Sequence, residues 1–157
     1  MSISTFNLEL NYISNKIHKL HDNGQSLLEC TYKNGKLHGE YKEWDENGRL
    51  EIQCNYKHGK LHGEYKEWYS NAQIYTERMY KDGLLNGEYK EWYDNGQLYI
   101  DSKYNKDGLL DGEYTQWYDN GKLLVKCNYK DEVLLGEYKE WDENGELTIH
   151  CYKDGKK

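Results

Sequence analysis

Proline is missing from this 157-residue chain, phenylalanine occurs once and methionine twice. With no proline, no backbone N–H is lost, so nothing interrupts a ladder of paired strands. Hydrophobic residues are scarce at 36%, charged ones reach 31%, and mean hydropathy is -1.15. Such values exclude a large aliphatic core and, in a featureless chain, would mean disorder. A continuous apolar stretch of the length a spanning helix needs is also absent. Net positive charge is lacking as well: the formal charge is -7, the wrong sign for nucleic acid or anionic lipid. The first residues, MSISTFNLELNYISNKIHK, show no basic start followed by an apolar block. The expectation is therefore a cytoplasmic protein without a signal segment.

What the chain does have is 17 Tyr and 5 Trp, and these argue for order. They are spread evenly, because one phrase recurs: GEYKEWDENG at 39–48, GEYKEWYSNA at 63–72, GEYKEWYDNG at 87–96, GEYTQWYDNG at 112–121 and GEYKEWDENG at 136–145. The glycines step by 24, 24, 25 and 24 residues, the longer step arising at KYNKDG, 103–108. A weaker copy, HDNGQSLLECTYKNGKLHG at 21–39, precedes them, with Leu20 in the place of tryptophan. A fixed period in this range means a repeat architecture.

Each unit reads as a hairpin. Asn-Gly between apolar segments marks one turn (47–48, 95–96, 120–121, 144–145), and KNG, KHG and KDG mark a second. Between them the apolar period is two: Leu50, Ile52, Cys54 and Tyr56 alternate with Glu51, Gln53 and Asn55. The predicted fold is all-β, an elongated single-layer antiparallel β-meander of tandem hairpins of about 24 residues. Six units make about twelve strands, a ribbon of roughly 55 Å at ~4.8 Å per strand. The predicted repeat domain covers 15–157, with a degenerate unit at 15–38 and units at 39–62, 63–86, 87–111, 112–135 and 136–157. The segment 1–14 is expected to cap the first edge. The predicted structural residues are Gly39, Trp44, Gly48, Gly63, Trp68, Gly87, Trp92, Gly96, Gly112, Trp117, Gly121, Gly136, Trp141 and Gly145.

Register decides where tryptophan lies. A two-residue turn at Asn47-Gly48 pairs Trp44 with Glu51; a three-residue loop with Gly48 left-handed pairs it with Leu50. The bulged loop is expected, since it gathers Trp, Leu, Ile, Cys and Tyr on one face.

Reactive constellations are absent. Cys30, Cys54, Cys127 and Cys151 hold one repeat position, so neighbouring ones lie two strands or roughly 9.6 Å apart. That is too far for a disulfide, which needs Cα atoms within about 7 Å, or for tetrahedral zinc. Buried reduced thiols are the expectation. The histidines (18, 21, 38, 58, 62, 150) fall mostly in turns, and no cofactor, metal or catalytic set can be assembled. Lys-Glu pairs at 42–43, 66–67, 90–91 and 139–140 predict a solvated, salt-laced surface.

Departures from identity point to a surface. The residue after tryptophan runs Asp45, Tyr69, Tyr93, Tyr118, Asp142; seven after it the series is Glu51, Tyr75, Tyr99, Leu124, Thr148. In the bulged register these positions touch diagonally, on the face opposite tryptophan. Tyr69, Tyr75, Tyr93, Tyr99, Tyr118 and Leu124 then form a candidate partner-binding patch for another protein or a second copy. Cross-strand stiffening of the central repeats is the alternative.

The pattern G-x-Y/W-x-x-W/Y-Y-x-N-G-x-L followed by Y-K-D-G-x-x-x-G resembles the MORN repeat, in the variant form found in bacterial and large-virus proteins, some labelled antitoxins. The resemblance implies a non-catalytic β-meander scaffold, with protein binding its commonest role and lipid binding another. Membrane lipid is disfavoured by the net charge. A glycan- or choline-binding surface is a further alternative, since aromatic hairpin repeats of the cell-wall-binding kind read similarly.

Overall fold

The computed structural model describes residues 14–153, 155 and 156. The expected cap at 1–14 therefore lies, but for its final residue, outside the described part. Among the described residues twelve strands follow one another in a single antiparallel sheet whose spatial order is the chain order. They are β1 (Ser14–Leu20), β2 (Ser26–Lys33), β3 (Lys36–Trp44), β4 (Leu50–Lys57), β5 (Lys60–Trp68), β6 (Ile74–Lys81), β7 (Leu84–Trp92), β8 (Leu98–Tyr104), β9 (Gly112–Trp117), β10 (Leu123–Lys130), β11 (Val133–Trp141) and β12 (Leu147–Tyr152). Among the described residues there is no helix. Each strand pairs only with its neighbours in sequence, so stability is a sum of local hairpin and interface terms.

Two turn types alternate. In β2–β3, Lys33 pairs with Lys36 around Asn34 and Gly35, whose φ of +53° and +73° define the turn whose twist matches that of the strands. The β4–β5 and β6–β7 turns repeat it at His58-Gly59 and Asp82-Gly83. The other turn has the predicted three-residue loop: Asp45 N–H donates to the Arg49 carbonyl (2.9 Å), Gly48 stands at φ +77°, and Trp44 pairs with Leu50. The extra residue of the 25-residue step is absorbed in β8–β9. There Asn105 N–H donates to the Leu109 carbonyl and Tyr104 bridges Leu110.

The structure corrects the expected faces. After Trp44 pairs with Leu50, Glu43 pairs with Ile52 and Tyr41 with Cys54. Glu51 is thus an extra residue in the ladder, a bulge that changes the parity of everything beyond it. Trp44 therefore shares its side of β3 with Lys42, not with the Ile52–Cys54–Tyr56 row. The other repeats with this bulge, from Trp68 to Trp117, follow suit.

Cysteine equivalence also fails at the end of the sheet. Trp141 pairs with Leu147, Glu140 with Thr148 and Tyr138 with His150, without the bulge. That one-residue difference flips β12. Cys151 then stands opposite Glu137 and is exposed, together with Leu147 and Ile149. Cys30, Cys54 and Cys127 are buried, as expected.

The thin core runs across the strands. Cys30, Tyr41, Cys54, Tyr65, Arg78, Tyr89 and Ser102 are successive cross-strand partners. Small side chains (Cys54, Ser102, Cys127) lie buried beside the tyrosines. Each tyrosine also meets a second one: Tyr41 meets Tyr56 (5.7 Å between centroids) and Tyr65 meets Tyr80 (5.9 Å) edge-on, and Tyr89 meets Tyr104 (5.6 Å) tilted. Such pairs contribute about 0.5–1.5 kcal/mol each beyond their buried area.

Candidate functional site

The predicted structural glycines, from Gly39 to Gly145, all have positive φ, between +77° and +118°. Gly39 marks where β3 accommodates two extra residues against β2: Cys30 pairs with Tyr41, then Tyr32 with Leu37. Each predicted tryptophan ends a strand and is half-buried.

The candidate patch residues Tyr69, Tyr75, Tyr93, Tyr99, Tyr118 and Leu124 are all half-buried. The anticipated diagonal contacts exist: Tyr69 and Tyr75 lie 5.0 Å apart between ring centroids, Tyr93 and Tyr99 4.8 Å. Their hydroxyls divide the set. Tyr69 donates to the Trp92 carbonyl (2.7 Å), Tyr93 to that of Trp117 (2.9 Å) and Tyr118 to that of Trp141 (2.9 Å). These three staple each loop to the next repeat, the stiffening role. Asn71 and Asn95 make parallel staples, from Nδ2 to the Asp94 and Asp119 carbonyls. Asp45, which has no proton to donate, instead accepts from the N–H groups of Asn47 and Arg49 in its own loop. His21 was not among the predicted site residues, yet its Nε2 bonds the Trp44 carbonyl (2.8 Å). Its place one residue after Leu20, the tryptophan equivalent, is the signal that could have revealed it.

Tyr75 and Tyr99 are not used as staples. The Tyr75 hydroxyl has no hydrogen-bond partner among the described residues, and the Tyr99 hydroxyl accepts from Gln116 Nε2 (3.2 Å). Tyr114 donates in turn to Gln116 Oε1 (3.2 Å). That chain joins the patch to the cross-strand tyrosine row. The patch therefore occupies the same side of the sheet as Cys127 and its tyrosine neighbours, rather than the side opposite them.

A second row lies beside it. Glu43, Ile52, Glu67, Thr76, Glu91, Ile100, Gln116, Val125 and Glu140 are consecutive cross-strand partners. The tyrosine two residues earlier donates to Glu43 (Tyr41, 2.8 Å), to Glu67 (Tyr65, 3.2 Å) and to Glu91 (Tyr89). Burial raises the tyrosine pKa values, with these carboxylates adding to the shift; Tyr114 is pushed up to about 12.

Arg78 stands where other repeats have Cys54, Ser102 or Cys127. Its guanidinium lies 5.6 Å from the Tyr65 centroid and 5.2 Å from that of Tyr89. Arg78 Nε donates to Thr76 Oγ1 (3.0 Å), and Nη2 pairs with Glu91 Oε1 (3.5 Å).

The opposite side carries a salt-laced surface, but of each predicted Lys-Glu pair only the lysine stands there, because adjacent strand residues face opposite sides and Glu43, Glu67 and Glu91 lie in the tyrosine-side row. Lys42 meets Glu40 (2.8 Å), Lys66 meets Glu77 (3.3 Å), Lys90 meets Glu88 (3.5 Å) and Lys139 meets Glu137 (2.7 Å). Among the described residues no His/Cys/Asp/Glu group could hold a metal.

Among solved structures, one titled as a crystal structure of a GtfA/B complex bound to UDP and GlcNAc is similar at 11% identity with a TM-score of 0.31. The match covers 73% of this chain but 22% of that one, so this chain spans under a quarter of its length. No curated protein matches. The family model described as MORN repeat variant matches residues 37–58, 61–82, 85–106, 110–131 and 134–154, in step with the hairpins. The chain therefore belongs to the MORN repeat variant family, a class of repeat scaffolds generally without enzymatic activity.

Proposed function

We propose that this chain is a non-catalytic scaffold that binds another protein through the tyrosine-rich face of its central repeats. The division of hydroxyls carries this reading. Tyr69, Tyr93 and Tyr118 are consumed in holding the repeats together, whereas Tyr75 adds an aromatic surface that the sheet's hydrogen bonding does not require. Tyrosine presents a rigid apolar body with a polar tip, and interfaces are enriched in it. The carboxylate row on the same face and a net charge of -7 weigh against an anionic bilayer as the target.

The test compares the unaltered chain with a Tyr75→Ser/Tyr99→Ser variant. Circular dichroism and tryptophan fluorescence report folding, affinity capture from the native cell reports partners, and sedimentation velocity reports self-association. Capture or self-association lost while the fold persists supports the face. Identical capture and sedimentation by both proteins removes it.

A further inference from the structure

The two sides of the sheet differ in how their charge is balanced. On one, lysines alternate with acidic residues, as in Lys66–Glu77–Lys90–Asp101, and neutralise one another. On the other, Glu43, Glu67 and Glu91 alternate with Ile52 and Thr76, so the row supplies no cation of its own. Among the described residues Glu43 and Glu67 are half-buried, accept a tyrosine hydroxyl and have no ion-pair partner. Glu91 alone is matched, by Arg78 between Tyr65 and Tyr89. The chain thus contains one filled copy of a site: a guanidinium flanked by two tyrosine rings and held by a carboxylate. Around Cys54 the same elements recur without the cation, with Tyr41 and Tyr65 as its strand partners and Glu43 and Glu67 beside them.

We propose that this face receives an extended, arginine-bearing segment of a partner protein, its guanidinium groups engaging Glu43 and Glu67 as Arg78 engages Glu91. The proposal rests on the protein-binding reading above and names the partner's chemistry. Arginine is favoured over lysine because its planar, weakly hydrated fork stacks on tyrosine while pairing with a carboxylate. Successive carboxylates are two strands, roughly 9.6 Å, apart. A segment in the polyproline II conformation, with about three residues per turn and about 3.1 Å rise per residue, covers that distance in about three residues and returns the side chain to the same face. The matching segment carries arginine at every third position.

The test is fluorescence anisotropy with a labelled peptide of about ten residues bearing arginine at every third position, against lysine and glutamine versions. The full chain, Glu43→Gln/Glu67→Gln and Glu40→Gln/Glu64→Gln are titrated at fixed salt. The last pair removes equal charge from the opposite side. The arginine peptide is expected to bind the full chain at least about fivefold tighter than the lysine one. It should lose about tenfold or more with Glu43→Gln/Glu67→Gln and less than about twofold with the control pair. Equal losses in both pairs would mean general attraction to an acidic chain and would overturn the proposal, as would no binding of the arginine peptide. If that peptide fails while Tyr75- and Tyr99-dependent capture persists, only the arginine inference falls. If both fail, the protein-binding reading falls too.

Discussion

The Tyr69 hydroxyl donates to the carbonyl of Trp92, 2.7 Å away and one repeat further along the chain. Three such bonds run through the central repeats, so this tyrosine position, together with the Asn71 and Asn95 staples, couples the loops of neighbouring repeats. Tyr69→Phe removes the bond and keeps the ring. It is expected to cost about 1 kcal/mol, measured by urea unfolding. Tyr75→Phe, with no bond to lose, is expected to leave the midpoint unchanged.

Two turns place a side chain where the other repeats have glycine. Ala72 stands at φ +65° and Glu132 at +67°. The left-handed region disfavours a β-carbon, so Ala72→Gly and Glu132→Gly should each stabilise by about 1 kcal/mol. Gly145, at φ +88° with nothing within 4 Å of an added β-carbon, isolates the backbone effect. Gly145→Ala should destabilise by a similar amount. Thermal unfolding of the three variants checks both signs.

The flipped last strand predicts unequal thiols. Cys151 is exposed and should react with a thiol reagent at once under native conditions, while Cys30, Cys54 and Cys127 react only on opening. Counting labelled thiols by mass spectrometry tests the register of β12 directly. Four protected thiols would restore the equivalence of the cysteines.

Burial pushes the Cys54 and Cys127 thiols from 9.0 up to about 11. Their folded form holds the proton more tightly than the unfolded chain, so this stability is complete below pH 9 and is lost as pH rises towards 11. The buried tyrosines act in the same direction at higher pH. Denaturant midpoints measured from pH 8 to pH 11.5 should fall through that window. A Cys54→Ser/Cys127→Ser variant should fall less steeply.

On the lysine side the acidic partners Glu40 and Glu64 are solvent-exposed, while Lys42 and Lys66 are half-buried. Glu40→Gln/Glu64→Gln should change stability by less than about 0.5 kcal/mol, read from the same unfolding curves. That outcome also qualifies the variant as a charge control for arginine binding.

Repetition made most of the fold legible in advance. Period, alternation and turn residues are properties of neighbouring positions, and each hairpin closes on itself, so strand order and the Trp44–Leu50 register followed from the chain. The Tyr69–Tyr75 and Tyr93–Tyr99 contacts followed from that register. The bulge at Glu51 did not, because nothing in LEIQC distinguishes a strand that skips a residue from one that does not; indeed LTIHC in the last repeat does not skip. That single difference put Cys54 inside and Cys151 outside. It also put the tyrosine patch on the same side as the cysteine–tyrosine row.

By itself the amino-acid order determined the ribbon of twelve consecutive strands seen among the described residues, since local turn chemistry and a period of two are sufficient for that. Which residues share a side, and hence that Arg78, Glu91, Tyr65 and Tyr89 meet, was decided by strand pairing across the sheet. The physical reason is that side-chain parity inverts at every unpaired residue, and pairing is a property of two strands rather than of either one.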